Sequence, residues 1–220
     1  MASHDGSAFP LTGPSKVTDV FCNESGDWTV YDSDEHGFNN PLNLWKRDSV
    51  DVVLIGDSFV HGACLQPGDD LAGQLRRRGL RTLNLGIGGT GPLIYLATLK
   101  EYAEPIRPKY VFWVFYGVDI RDHVYEATSP MLLKYLSDAA FTQNLANRQP
   151  ELDSLMRAYM ATEGPKSEKM WSMKRKVVQF QNTVVLVLEA FTLKRVRERI
   201  RCRGRCNNIT EGDESHKIQL

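Results

Sequence analysis

The stretch that decides the fold is "VDVVLIGDSFVHG", Val50 to Gly62. Val52–Ile55 is apolar at every position, the pattern of a strand buried on both faces of a parallel sheet; a half-buried strand would alternate. The run stops abruptly at Gly56-Asp57-Ser58. Turns after buried strands are ordinarily built from residues that only bend the chain, yet here an aspartate and a serine stand at the strand's tip.

Working outward, Asp69–Arg78 reads as a helix with Leu71 and Leu75 one turn apart, and "RTLNLG" (Arg81–Gly86) as a second strand. Leu93–Ala103 is a second helix, and "KYVFWVFYG" (Lys109–Gly117) a third strand, apolar almost throughout. Strands alternating with helices through short connections imply right-handed crossovers and a parallel sheet. The predicted fold is therefore α/β, a three-layer α/β/α sandwich. Sheets of this kind hold ligands at the carboxyl ends of their strands. Those ends read Gly56-Asp57-Ser58, then Asn84-Leu85-Gly86-Ile87-Gly88-Gly89-Thr90-Gly91, then Tyr116-Gly117-Val118-Asp119, and all three converge on one sheet edge.

Residues 1–49 are rich in Gly, Pro, Asn, Asp and Ser, with Trp28, Tyr31, Phe38 and Trp45 spaced among them. Disordered segments are poor in aromatics, so an irregular arm packed on the core is expected. Residues 50–220 form the domain proper, incomplete at its C-terminal end on this reading. Pro130–Leu136 and Glu151–Met160 are helical; Val177–Leu193 is a buried helix or a long strand. The last contains Gln179, Gln181, Asn182 and Glu189 and is too polar and short for a membrane span. Lys194–Arg205 carries seven basic residues against one acidic, a solvated helix end or, alternatively, a patch for anionic surfaces.

With 220 residues, 42% of them hydrophobic, the chain suits one sizeable core. Lys plus Arg and Asp plus Glu number 27 each, so net charge draws it to neither nucleic acid nor acidic membranes. Cys22, Cys64, Cys202 and Cys206 are few and scattered, which predicts reduced thiols. The Cys202/Cys206 pair lacks the further ligands of a zinc site. Residues 1–20 hold no signal-peptide core, which reads as cytoplasmic as written and leaves export or anchoring of a longer parent chain open.

A serine that ends a buried strand and opens a helix sits where backbone N–H groups point outward. If its hydroxyl attacks an acyl carbonyl, the tetrahedral oxygen needs donors about 3 Å away, and the Ser58 amide is one candidate. Gly89 in "GIGGTG" is a second, because no side chain blocks approach to its amide. Each part also has a plainer role: Ser58 as an N-cap, Asp57 as a turn-maker, and the glycine loop as a phosphate cradle.

"IGDSFVHG" resembles the first block of the SGNH hydrolases, the GDSL esterase/lipase family, in which the serine of Gly-Asp-Ser is the nucleophile. "NLGIGGTG" resembles the second block, whose glycine lends an oxyanion amide; aligning Asn84 places it at Gly89. "FYGVDIRD" resembles the third block, which usually supplies an asparagine amide. Here Val118 stands in that place beside Asp119, and valine cannot donate. "DEHGFNNP" and "LKEYAEPIRPKYVFWVFY" are similar to bacterial SGNH-like proteins of mostly uncharacterised function. The resemblance spans about residues 30–160 and implies a flavodoxin-like sandwich without metal or organic cofactor.

The family's base is an Asp-x-x-His near the C-terminus, matched once by Asp213-Glu214-Ser215-His216. His61, one turn after Ser58, reads as helix packing or a substrate contact; His123 is the competing base; His4 and His36 read as surface residues. The resemblance implies hydrolysis or transfer of an acyl ester, with a small ester or O-acetylated carbohydrate as substrate. The alternative is a catalytically impaired module that binds a glycan or a partner.

Overall fold

The computed structural model describes residues 8–22, 28–46, 49–115, 117 and 124–163. The chain divides into two compact units, Met1–Ala161 and Thr162–Leu220, and the architecture below belongs to the first.

Three strands form a parallel sheet in the order β4-β3-β5: β3 (Val52–Gly56) at the centre, β4 (Thr82–Gly86) and β5 (Tyr110–Trp113) at its sides. Gly56 pairs with Gly86, and Ile55 with both Leu85 and Trp113, so the strands end at one level. A separate antiparallel hairpin, β1 (Thr18–Val20) with β2 (Val30–Asp32), belongs to the N-terminal arm.

Alternation along the strands divides the core in two. Val53, Ile55, Leu83 and Leu85 pack with Leu93, Tyr95 and Ala97 of α3 (Pro92–Thr98) and with Leu132 and Tyr135 of α5 (Pro130–Ser137). Between these helices, α3 passes through a π-helical turn, Leu99–Ala103, into α4 (Glu104–Ile106). Val52 and Leu54 point the other way, toward Val60 of α1 (Ser58–His61) and Ala72 and Leu75 of α2 (Leu71–Arg77). Helices thus cover both sheet faces, an α/β/α arrangement around a parallel sheet. A further helix begins at 149 and reaches the end of this unit at Ala161. None of the described helices is long and apolar enough to cross a membrane.

The arm is built around a buried carboxylate. Asp34 accepts from the amides of His36 and Phe38, from Asn40 Nδ2 and from Trp45 Nε1, at 2.8–3.0 Å. Burial still raises its pKa against those four stabilising donors. Asn40 reaches the sheet edge, accepting from the Asn84 amide (2.8 Å) and donating to the Asn84 carbonyl (2.9 Å), so the arm satisfies the outer edge of β4 at Asn84.

Four expectations need correction. Cys22 and Cys64 are not free thiols: they are joined in a disulfide, their Cα atoms 5.2 Å apart. They lie 42 residues apart, and folding the arm against the loop after α1 brings them together. The third strand is shorter than Lys109–Gly117, and its four residues are each 41–64% exposed rather than buried. Among the described residues β5 pairs with β3 alone. Leu71 of α2 faces solvent while Ala72 and Gly73 are buried. A Cβ on Gly73 would lie 2.1 Å from the Gly68 carbonyl oxygen, so the helix packs by its smallest residues. Finally, His36 is only partly at the surface; its ring lies 4.5 Å from Trp45 and 5.7 Å from Tyr102.

Candidate active site

Two glycines set the position of Ser58. A Cβ at Gly56 would lie 2.6 Å from Val60 Cγ2, and one at Gly86 would lie 2.1 Å from the His61 amide nitrogen. Neither fits, so the Val60 side chain of α1 sits directly on the end of β3 and the α1 backbone directly on the end of β4. Ser58, the first residue of α1, is thereby held at the carboxyl edge of the sheet, partly exposed.

Side chains fix both ends of this short helix. Asp57 is the N-cap, accepting from the Phe59 amide at 2.9 Å. At the other end, Asn84 Nδ2 donates to the Val60 carbonyl (2.7 Å) and Asn39 Nδ2 to the His61 carbonyl (3.0 Å). Asn84 Oδ1 meanwhile accepts from the Gly86 amide at 2.9 Å. Gly62, at φ +80°, closes α1 in the left-handed conformation. Asp57 and Asn84 are therefore scaffolding for the serine.

The facing wall is the loop from Ile87 to Gly91. It begins where the Ile87 amide donates to the Gly56 carbonyl at 3.0 Å. A Cβ at Gly88 would lie 3.9 Å from Ser58 Cβ and 3.0 Å from Phe21 Cζ, so loop, serine and arm meet there. Gly89 is exposed at φ +74°, with nothing within 4 Å of where its Cβ would be. Thr90 Oγ1 donates to the Ile87 carbonyl (2.7 Å), and Tyr95 Oη to the Thr90 carbonyl (3.0 Å). Among the described residues, no hydrogen bond uses the amide N–H of Ser58 or Gly89, or Ser58 Oγ.

His61 is buried against this site. Its Nε2 lies 2.9 Å from Tyr31 Oη and its ring 4.5 Å from that of Phe21; Nδ1 has no hydrogen-bond partner among the described residues. Burial lowers its pKa, against a smaller opposing pull from Asp70. Engaged by Tyr31 and close to Phe21, it packs the arm onto α1.

Gly117 is described, but Val118, Asp119 and His123 lie outside the described residues, as do Asp213 and His216. The sequence reading missed Glu126, which accepts from the amides of Gly91 and Leu93 behind the glycine loop, and the arm residues Phe21, Tyr31 and Asn39. No local pattern marks them: each reaches the site from 22 or more residues away in the chain. The "DEHGFNNP" stretch was the one available signal, and its Asp34, Asn39 and Asn40 hold the arm to β4 and α1.

No protein-family model matches the chain. No curated protein matches it either. Among solved structures, a mutant of the esterase AlinE4 is similar at 19% identity over 52% of this chain and 72% of that one, with a TM-score of 0.29, a likeness too slight to carry an argument about function.

Proposed function

We propose that this chain is a serine hydrolase of the SGNH/GDSL type, cleaving or transferring an acyl ester. The observation that carries the reading is the pairing of a partly exposed serine at a strand-to-helix turn with two amides, those of Ser58 and Gly89, that no hydrogen bond uses among the described residues. In this reading Ser58 Oγ attacks the ester carbonyl and gives its proton to His216, oriented by Asp213. The carbonyl oxygen gains negative charge, which the two amides stabilise. Collapse expels the alcohol, which takes the proton from His216, and water or a second hydroxyl then releases the acyl group from Ser58. The substrate is a small ester or an O-acetylated carbohydrate, and the cycle calls for no cofactor.

Val118 favours a second reading, a binding module on the same edge. Valine in place of an amide donor removes an interaction typically worth about 10²–10³ in turnover. Hydrolysis of p-nitrophenyl acetate separates the two. The hydrolase reading expects turnover that Ser58→Ala and His216→Ala each abolish, and fluorophosphonate labelling that Ser58→Ala removes. Turnover or labelling that survives Ser58→Ala would sink it.

A further inference from the structure

The loop from Ile87 to Gly91 contains three glycines, which leave a backbone free to take many conformations. An oxyanion donor is useful only if held in place before reaction. What holds this loop comes from beyond β5. Glu126 is 7% exposed, and both of its carboxylate oxygens are used: Oε1 accepts from the Gly91 amide at 2.5 Å and Oε2 from the Leu93 amide at 2.9 Å. Pro92, between them, has no N–H to offer. One carboxylate therefore grips the end of the loop and the start of α3 together.

We propose that Glu126 is a positioning residue for the Ser58 site, its carboxylate setting the loop so that the Gly89 amide faces the oxygen of a tetrahedral intermediate. The proposal rests on the hydrolase reading above. Gly91 lies two residues beyond Gly89, and the residue between is held on both sides: Thr90 Oγ1 by the Ile87 carbonyl, the Thr90 carbonyl by Tyr95 Oη. A shift at Gly91 is consequently passed to Gly89 rather than absorbed. At the loop's other end, Gly88 abuts Ser58 and Phe21, so small displacements there change the distance between donor and nucleophile.

The substitutions are Glu126→Gln and Glu126→Asp. A glutamine has one acceptor oxygen, and its NH2 would confront the second amide donor. Aspartate keeps both acceptors on a stem shorter by one methylene. Steady-state hydrolysis of p-nitrophenyl acetate is measured per active site, counted by stoichiometric fluorophosphonate labelling, with Ser58→Ala as control. The expected result is a kcat about 10-fold lower in Glu126→Gln with KM nearly unchanged, since the lost interaction serves the transition state. Glu126→Asp falls between it and the wild type. A kcat per labelled site equal to wild type would reduce Glu126 to a structural role and overturn the proposal; if Glu126→Gln does not fold, the same result in Glu126→Asp overturns it. Absence of Ser58-dependent turnover in the wild type overturns the hydrolase reading, and this role with it. Ser58-dependent turnover indifferent to Glu126 overturns the role alone.

Discussion

Breaking the bond between Cys22 and Cys64 gives a large and distinctive loss of stability. It closes a loop with a sequence separation of 42 residues. The chain-entropy relation assigns such a loop about 4 kcal/mol at 25 °C, through restriction of the unfolded chain. For a domain of this size each kcal/mol moves the melting midpoint by roughly 2–4 °C, so the expected fall is about 8–16 °C. Thermal unfolding by circular dichroism would be followed for the parent, Cys22→Ser, Cys64→Ser and the double variant, all carrying serine at Cys202 and Cys206 to prevent exchange. Both single variants break the same bond, so the double variant should melt about where they do. Reducing agent should bring the parent down to their level and leave them unmoved. Independent small losses that add in the double variant, or a parent midpoint indifferent to reductant, would refute the reasoning and restore the reading of free thiols.

Two further expectations follow from the packing around Ser58. Gly86→Ala drives a Cβ to within 2.1 Å of the His61 nitrogen and should cost about 3 kcal/mol or more in chemical denaturation, because backbone must move. Gly89→Ala meets no neighbour and carries only the left-handed penalty at φ +74°, about 1–2 kcal/mol. His61 gives a pH dependence of definite sign. Burial holds its folded pKa below the ordinary imidazole value of 6.5, so the unfolded chain takes up the proton first. Its contribution to stability is complete above pH 6.5 and is lost as pH falls toward the folded pKa. Among the groups around it, Asp70 partly opposes this shift, while Tyr31 stays neutral, its own pKa raised by burial. Denaturation midpoints from pH 7.5 to 5 should fall in the wild type and flatten in His61→Gln; parallel profiles would contradict the assignment.

Much of the framework was legible because its causes are local. An unbroken apolar run such as Val52–Ile55 suits a strand with both faces covered, and the helical stretches between such runs leave a parallel sheet as the outcome. The position of Ser58 was legible for the same reason: Gly56 and the Asp57 cap stand immediately before it in the chain. The same local logic misjudged β5, whose apolar run lies exposed, and Leu71, whose helix packs by Ala72 and Gly73 instead. An apolar pattern states what a segment can bury; its neighbours decide whether it is buried.

The amino-acid order by itself determined the α/β class, the parallel strands and the presentation of a serine at a strand end beside a glycine loop. Only the tertiary structure decided how that loop is held, by Glu126 from across the sheet edge, and how the arm is fastened, by Asp34, Asn40 and the Cys22–Cys64 bond. The physical reason is range. Backbone propensity and hydrophobic period act over a few residues and can be read in order, whereas a buried carboxylate or a thiol takes whichever partner the finished packing brings within about 3 Å for a hydrogen bond or 6 Å between Cα atoms for a disulfide.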